Sequence, residues 1–173
     1  MRSALLAVLA LVVGCSGALA QDDGAEVAAP DSWIGCWARV YDAVHLSKHP
    51  EQKVSAMTLS ISARDGESGD APGKYLAKVT ALLRDKPDSY ANPGGSRCVV
   101  SGDKLSCFTD GFFLGKFSVE RAGKNLKLAI SSADEHLALV PDVDLAAFTV
   151  LSPQNPEHRL FLLNPAPAKT CGK

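Results

Sequence analysis

Met57-Thr58-Leu59-Ser60-Ile61-Ser62 alternates apolar and polar residues without a break. Successive side chains of a strand leave opposite faces of a sheet, so this stretch is a strand with one buried and one wetted face. The pattern recurs downstream. Tyr75, Ala77, Val79, Ala81 and Leu83 alternate with Lys78, Thr80 and Arg84, and Phe117 and Val119 alternate with Ser118 and Glu120. Leu126, Leu128 and Ile130 alternate with Lys127 and Ala129, and short apolar runs follow at 137–140, 147–151 and 160–163. Turn formers separate these segments: Asp65-Gly66, Pro72-Gly73, Pro93-Gly94-Gly95, Asp110-Gly111 and Pro141-Asp142. Short strands at this spacing predict an all-β fold, an antiparallel meander of about eight to ten strands forming a closed or nearly closed barrel. Helical signal is thin, confined to one or two turns within 42–52 and another over 134–139.

One hairpin can be read to its register. In Cys98-Val99-Val100-Ser101-Gly102-Asp103-Lys104-Leu105-Ser106-Cys107, a two-residue Gly102-Asp103 turn of type II′ or I′ sets Ser101 opposite Lys104 and Cys98 opposite Cys107. Pairs alternate outward from the turn, which makes Cys98 and Cys107 a non-hydrogen-bonded pair with Cα atoms about 4.5 Å apart, close enough for a disulfide. Cys36 then pairs with Cys171. That bond joins the first strand to the chain's end and should stabilise more than the hairpin bond, by about 1 kcal/mol or more in the loop-entropy model. A one-residue slip of the hairpin would put Cys98 and Cys107 on opposite faces and favour another pairing.

The N-terminus carries an address. Met1-Arg2-Ser3, an apolar run over 4–13 and Ala18-Leu19-Ala20 are the three parts of a secretory signal peptide spanning 1–20, with cleavage before Gln21. Val12-Val13-Gly14-Cys15 also resembles a lipobox, in which Cys15 would be acylated and act as a lipid anchor. The fit of Ala-Leu-Ala before Gln-Asp-Asp favours the soluble form. Cleavage leaves 153 residues, enough for one core. Residues 21–31 are small and polar and read as a flexible leader, which leaves 32–173 as a single barrel-like domain. The four remaining cysteines are even in number and lack C-x-x-C spacing, which indicates disulfides in a periplasmic or secreted protein and argues against a zinc site. Removing Arg2 takes the net charge from -1 to -2, which gives no basic face for nucleic acid. No segment has the roughly 20 apolar residues of a transmembrane helix.

Two resemblances are carried by short blocks. Gly35-Cys36-Trp37 ahead of successive strands resembles the opening of lipocalin-type barrels, where a Gly-x-Trp plugs one end. Trp37-Ala38-Arg39-Val40-Tyr41-Asp42-Ala43-Val44-His45-Leu46, followed by His49-Pro50-Glu51-Gln52-Lys53-Val54, resembles a family of small exported bacterial proteins. So do the 98–117 segment and the ending over 160–168. That resemblance implies export and one compact domain and brings no activity and no catalytic residues.

Chemistry-bearing side chains are densest in the same block: Arg39, Tyr41, Asp42, His45 and His49. On a helix, Asp42, His45 and His49 would share a face, and Pro50 would end the helix after His49. Two histidines four apart can reach one metal, but no third ligand stands at fixed spacing, so the sequence predicts no metal and no cofactor. The plain alternative is an Arg39–Asp42 ion pair, with the histidines solvated or capping a turn. Arg39 is in phase with Trp37 and Tyr41, so it faces inward and needs a partner. It reads first as a structural Arg stacked on Trp37, with a ligand anion as the functional alternative. Phe112 and Phe113 point to opposite faces, and one of them must meet solvent, a loop or a partner. The sequence lacks G-x-S-x-G, a P-loop and a dinucleotide fingerprint, and oxidised cysteines offer no thiol nucleophile. The composite expectation is a non-enzymatic envelope protein binding a small apolar ligand or another envelope component. A hydrolase using His45 and Asp42, and a periplasmic metal-binding protein, are the alternatives.

Overall fold

The computed structural model describes residues 33–64, 73–86, 88–109, 115–141 and 147–172. The expected signal peptide with Cys15, the expected leader, and Asp110, Gly111, Phe112 and Phe113 lie outside these residues. Eleven strands are described: β1 Gly35–Val40, β2 Val54–Ala63, β3 Tyr75–Leu83, β4 Ser89–Ala91, β5 Ser96–Ser101, β6 Lys104–Thr109, β7 Gly115–Ala122, β8 Asn125–Ala129, β9 Leu137–Pro141, β10 Thr149–Leu151 and β11 Leu160–Pro165. One short helix, α1 Ala43–Lys48, joins β1 to β2, and 3₁₀ turns span Pro156–His158 and Ala168–Cys171.

All the pairings are antiparallel, and eight strands close on themselves in the order β1-β2-β3-β5-β6-β7-β8-β11 and back to β1. The all-β barrel expected from alternation is therefore present, with three strands outside the circuit. Met57, Leu59 and Ile61 are 0–1% exposed while Thr58, Ser60 and Ser62 are only partly buried, as their alternation requires. Phe117, Phe161, Leu105, Leu126 and Leu128 meet them inside. An eight-stranded barrel is just wide enough for side chains to fill it.

The edge of β3 is shared. Its first half pairs with β5 and its second half with β4. Between them the chain leaves the ladder at Asn92–Gly95, and the buried Asn92 amide stands in for the missing strand. Its Oδ1 accepts from the Val79 N–H at 2.7 Å, and its Nδ2 donates to the Ala77 carbonyl at 3.1 Å and to Ser96 Oγ at 2.9 Å. The outer edge of β4 is taken by β9, which pairs in turn with β10. The 134–139 segment is thus not helical. His136 exchanges backbone hydrogen bonds with Lys116 at 2.8 and 2.9 Å, and β9 begins at Leu137. At Gly115 an added Cβ would lie 3.2 Å from the His136 carbonyl, so glycine is what lets the two backbones meet.

The two halves of the cysteine argument hold. β5 and β6 pair Ser101 with Lys104 and Cys98 with Cys107, and that disulfide has a Cα–Cα distance of 4.1 Å. Gly102 sits at φ 66° while Asp103 has no positive φ, which leaves type II′ of the two turns expected. Cys36 is bonded to Cys171 across 135 residues, clamping the Ala168–Cys171 turn over the outer face of β1 and β2. Among the described residues no helix is long and apolar enough to cross a membrane.

Candidate functional site

α1 lies at the end of the barrel where β1 leaves and β2 enters. Asp42 is its N-cap, accepting from the His45 backbone N–H at 2.7 Å, the standard fit of a short acidic side chain to an orphan helical donor. The cap at His49 closes the helix just before Pro50, as expected from sequence. Arg84 Nη1 reaches the carbonyls of Leu46, His49 and Pro50 at 3.3–3.5 Å, anchoring the last turn to the end of β3.

Asp42 is therefore committed to the backbone. The anticipated Arg39–Asp42 ion pair does not form, and Asp42 makes no hydrogen bond to the His45 ring. Arg39, Tyr41, His45 and His49 instead form one column. The Arg39 guanidinium lies 5.3 Å from the Tyr41 ring centroid, Tyr41 stacks on His45 at 4.8 Å, and His45 stacks on His49 at 4.3 Å. The aromatic partner of Arg39 is Tyr41, one step further along the strand than the Trp37 expected. Trp33 receives Arg121 at 4.3 Å. The far end of the column is closed by Glu157, whose carboxylate takes His49 Nδ1 at 3.0 and 3.1 Å. With their rings face to face, His45 and His49 do not converge on one point. Among the described residues no group of three or more His, Cys, Asp or Glu could hold a metal ion.

This column borders a cleft. β1 and β2 pair over six residues, but β1 and β11 pair only at Trp37–Pro165 and Ala38–Asn164. Beyond Ala38 the wall parts, and a cleft of about 230 Å³ opens between the two strands. Arg39, Tyr41, His45 and Gln52 line one side, and Pro156, Glu157, Leu160 and Leu162 line the other. Leu160 and Leu162 are 52% and 39% exposed, whereas Phe161 and Leu163 between them are fully buried in the barrel. The Arg39 Nε is buried without a hydrogen-bond partner, and among the described residues no carboxylate lies in ion-pair range. Such an unpaired buried donor costs about 1–3 kcal/mol.

Two further groups are set by the same packing. Burial pushes the Tyr41 hydroxyl above its ordinary pKa, against the opposing pull of a Gln52 hydrogen bond and the Arg39 charge, while Glu157 adds to the rise. Gln52 Nε2 donates to the Val54 carbonyl at 3.1 Å, which fixes the amide at the cleft wall. Behind the cleft wall, His158 is 2% exposed and its pKa is lowered, first by burial and then by the Lys53 charge.

Gln52, Glu157, Leu160 and Leu162 were not legible as site residues. Glu157 stands 108 residues from His49, and only closure of the barrel brings the two together. The available signal was Asn155-Pro156-Glu157, a capped turn start with Pro at its first position. No family model, no curated protein and no solved structure matches the chain.

Proposed function

We propose that the protein is an exported, non-enzymatic binding protein of the periplasm or extracellular space. It takes a small ligand in the cleft between β1 and β11, outside a barrel lumen filled by its own side chains. The carrying observation is Arg39: a guanidinium held by a tyrosine face at the wall of an open cleft, with no carboxylate among the described residues in ion-pair range. An inward-facing charge with an aromatic partner and no countercharge among the described residues leaves room for a ligand anion. Two disulfides fit an oxidising compartment. The hydrolase reading loses its acid–base pair, because Asp42 caps the helix. A metal-binding role lacks a third ligand.

Titration of isotope-labelled protein with a panel of small organic molecules tests the site. The amides of Arg39, Tyr41 and His45 and the methyls of Leu160 and Leu162 should shift together. Saturable shifts confined to Leu59, Leu126 and Leu128 would place the ligand inside the barrel and remove the cleft from the account. Export is tested separately by the intact mass of protein recovered after secretion. An N-terminus at Gln21 is expected, and an acylated Cys15 would replace the soluble form with a membrane-anchored one.

A further inference from the structure

The cleft also carries information about what it takes. We infer that its ligand is a small monoanionic amphiphile, a carboxylate on an apolar body, with the carboxylate held by Arg39 and the body laid on Leu160 and Leu162. This rests on the cleft being a binding site. The Arg39 guanidinium lines the cleft and has no ion-pair partner among the described residues; with its Nε covered by protein, the planar fork of Nη donors is the edge that matches a carboxylate. The neighbouring groups do not supply one. Both oxygens of Glu157, the one carboxylate among the described residues that line the cleft, are turned to His49 at 3.0 and 3.1 Å. Tyr41 meets the arginine through its ring, with the guanidinium 5.3 Å from the ring centroid.

Charge count and size narrow the class. Arg39 contributes one positive charge, and Glu157 contributes a negative one on the other wall. A single negative charge on the ligand is compensated, and a second would face Glu157 unopposed. The opposite wall is Pro156, Leu160 and Leu162, whose side chains offer apolar contact. At about 230 Å³ the cleft is below the roughly 300–1,000 Å³ of sites for drug-sized molecules, so the apolar body is short.

The test is a nuclear magnetic resonance titration at neutral pH with four probes: octanoate, 1-octanol, acetate and octyltrimethylammonium. It follows the Arg39 Nε–Hε signal and the Leu160 and Leu162 methyls. Octanoate should shift all three sets together and saturate, with the other probes weaker by about ten-fold or more, the factor expected of a charge-assisted hydrogen bond. Arg39→Gln should remove that advantage and leave the octanol response unchanged. Arg39→Lys, which keeps the charge and loses the fork, should fall between them, and its spectrum checks that the barrel still folds. If octanol binds the cleft as tightly as octanoate and Arg39→Gln changes neither, the anion inference is overturned while the cleft remains a binding site. If none of the four probes perturbs the cleft, the inference falls together with the reading beneath it.

Discussion

Trp37 shows how much one position carries. It is 4% exposed, sits opposite Leu59 in the β1–β2 ladder, and belongs to the core cluster that fills the barrel. Trp37→Ala should cost about 3–5 kcal/mol, the range for truncating a large aromatic in a core. A change below about 1 kcal/mol in urea unfolding would move Trp37 to the surface. Side chains of this kind were readable from phase alone, because alternation along β1 sends Trp37, Arg39 and Tyr41 to one side. The partner of Arg39 was not readable. Strand periodicity gives the face on which a side chain stands, but which ring it meets there depends on how the strand bends at its end. The same limit applies to Asp42. Its position before Ala43 is an N-cap signal, and a backbone donor three residues away outcompeted an arginine on the neighbouring strand end.

Elements with local punctuation were legible, and those defined by distant partners were not. α1 has a cap at Asp42 and a stop at Pro50, so its span follows from sequence. The 134–139 segment contains helix formers, yet the unpaired edges of β7 and β4 offered backbone hydrogen bonds that a single helical turn could not match. Pro156 marks a turn in the sequence, but nothing there showed that the turn Pro156–His158 forms part of the cleft wall. Asn155 secures it: Oδ1 accepts from the Glu157 N–H at 3.0 Å, and Nδ2 donates to the Glu51 carbonyl at 2.9 Å and faces His158 Nε2 at 3.3 Å. An amide nitrogen only donates, so Nε2 of His158 must accept and the ring is neutral. Protonation would set two donors against each other and bury a charge near Lys53, with Glu157 as the opposing charge. The folded pKa is lowered, so the neutral ring's contribution is complete above the ordinary imidazole value of about 6.5 and is lost as pH falls through the folded value. Unfolding midpoints should therefore drop on acidification more steeply for the native chain than for His158→Gln. The difference should vanish above about pH 7, and its slope is bounded near 1.4 kcal/mol per pH unit for one proton. Parallel curves for the two proteins would show that His158 titrates without consequence for the turn.

Barrel closure is a property of the whole chain, and the sequence offered only half of it. Strand alternation and turn spacing give the meander through β1-β2-β3 and β5-β6-β7-β8, whose hairpins are local. The return of β11 to β1 skips β9 and β10 and has two ladder pairs to hold it, which is where the wall parts to form the cleft. The Cys36–Cys171 disulfide lies beside this seam, with Ala166 N–H donating to the Cys36 carbonyl at 2.8 Å. The disulfide spans 135 residues, against 9 for Cys98–Cys107. In the loop-entropy model that difference in span is worth about 2 kcal/mol in favour of the long bond. Stability alone does not isolate the effect, because Cys98 and Cys107 are fully buried and their replacement also removes packing. The denaturant slope does isolate it, since it follows the surface exposed on unfolding. Cys36→Ala with Cys171→Ala frees the ends of the unfolded chain, which expands and exposes more surface, so the slope in urea should rise clearly. Cys98→Ala with Cys107→Ala frees only a hairpin, and its slope should stay close to that of the native chain even as the midpoint falls. Equal slopes in the two double variants would mean that the long bond stabilises the folded seam directly and leaves the unfolded ensemble unchanged.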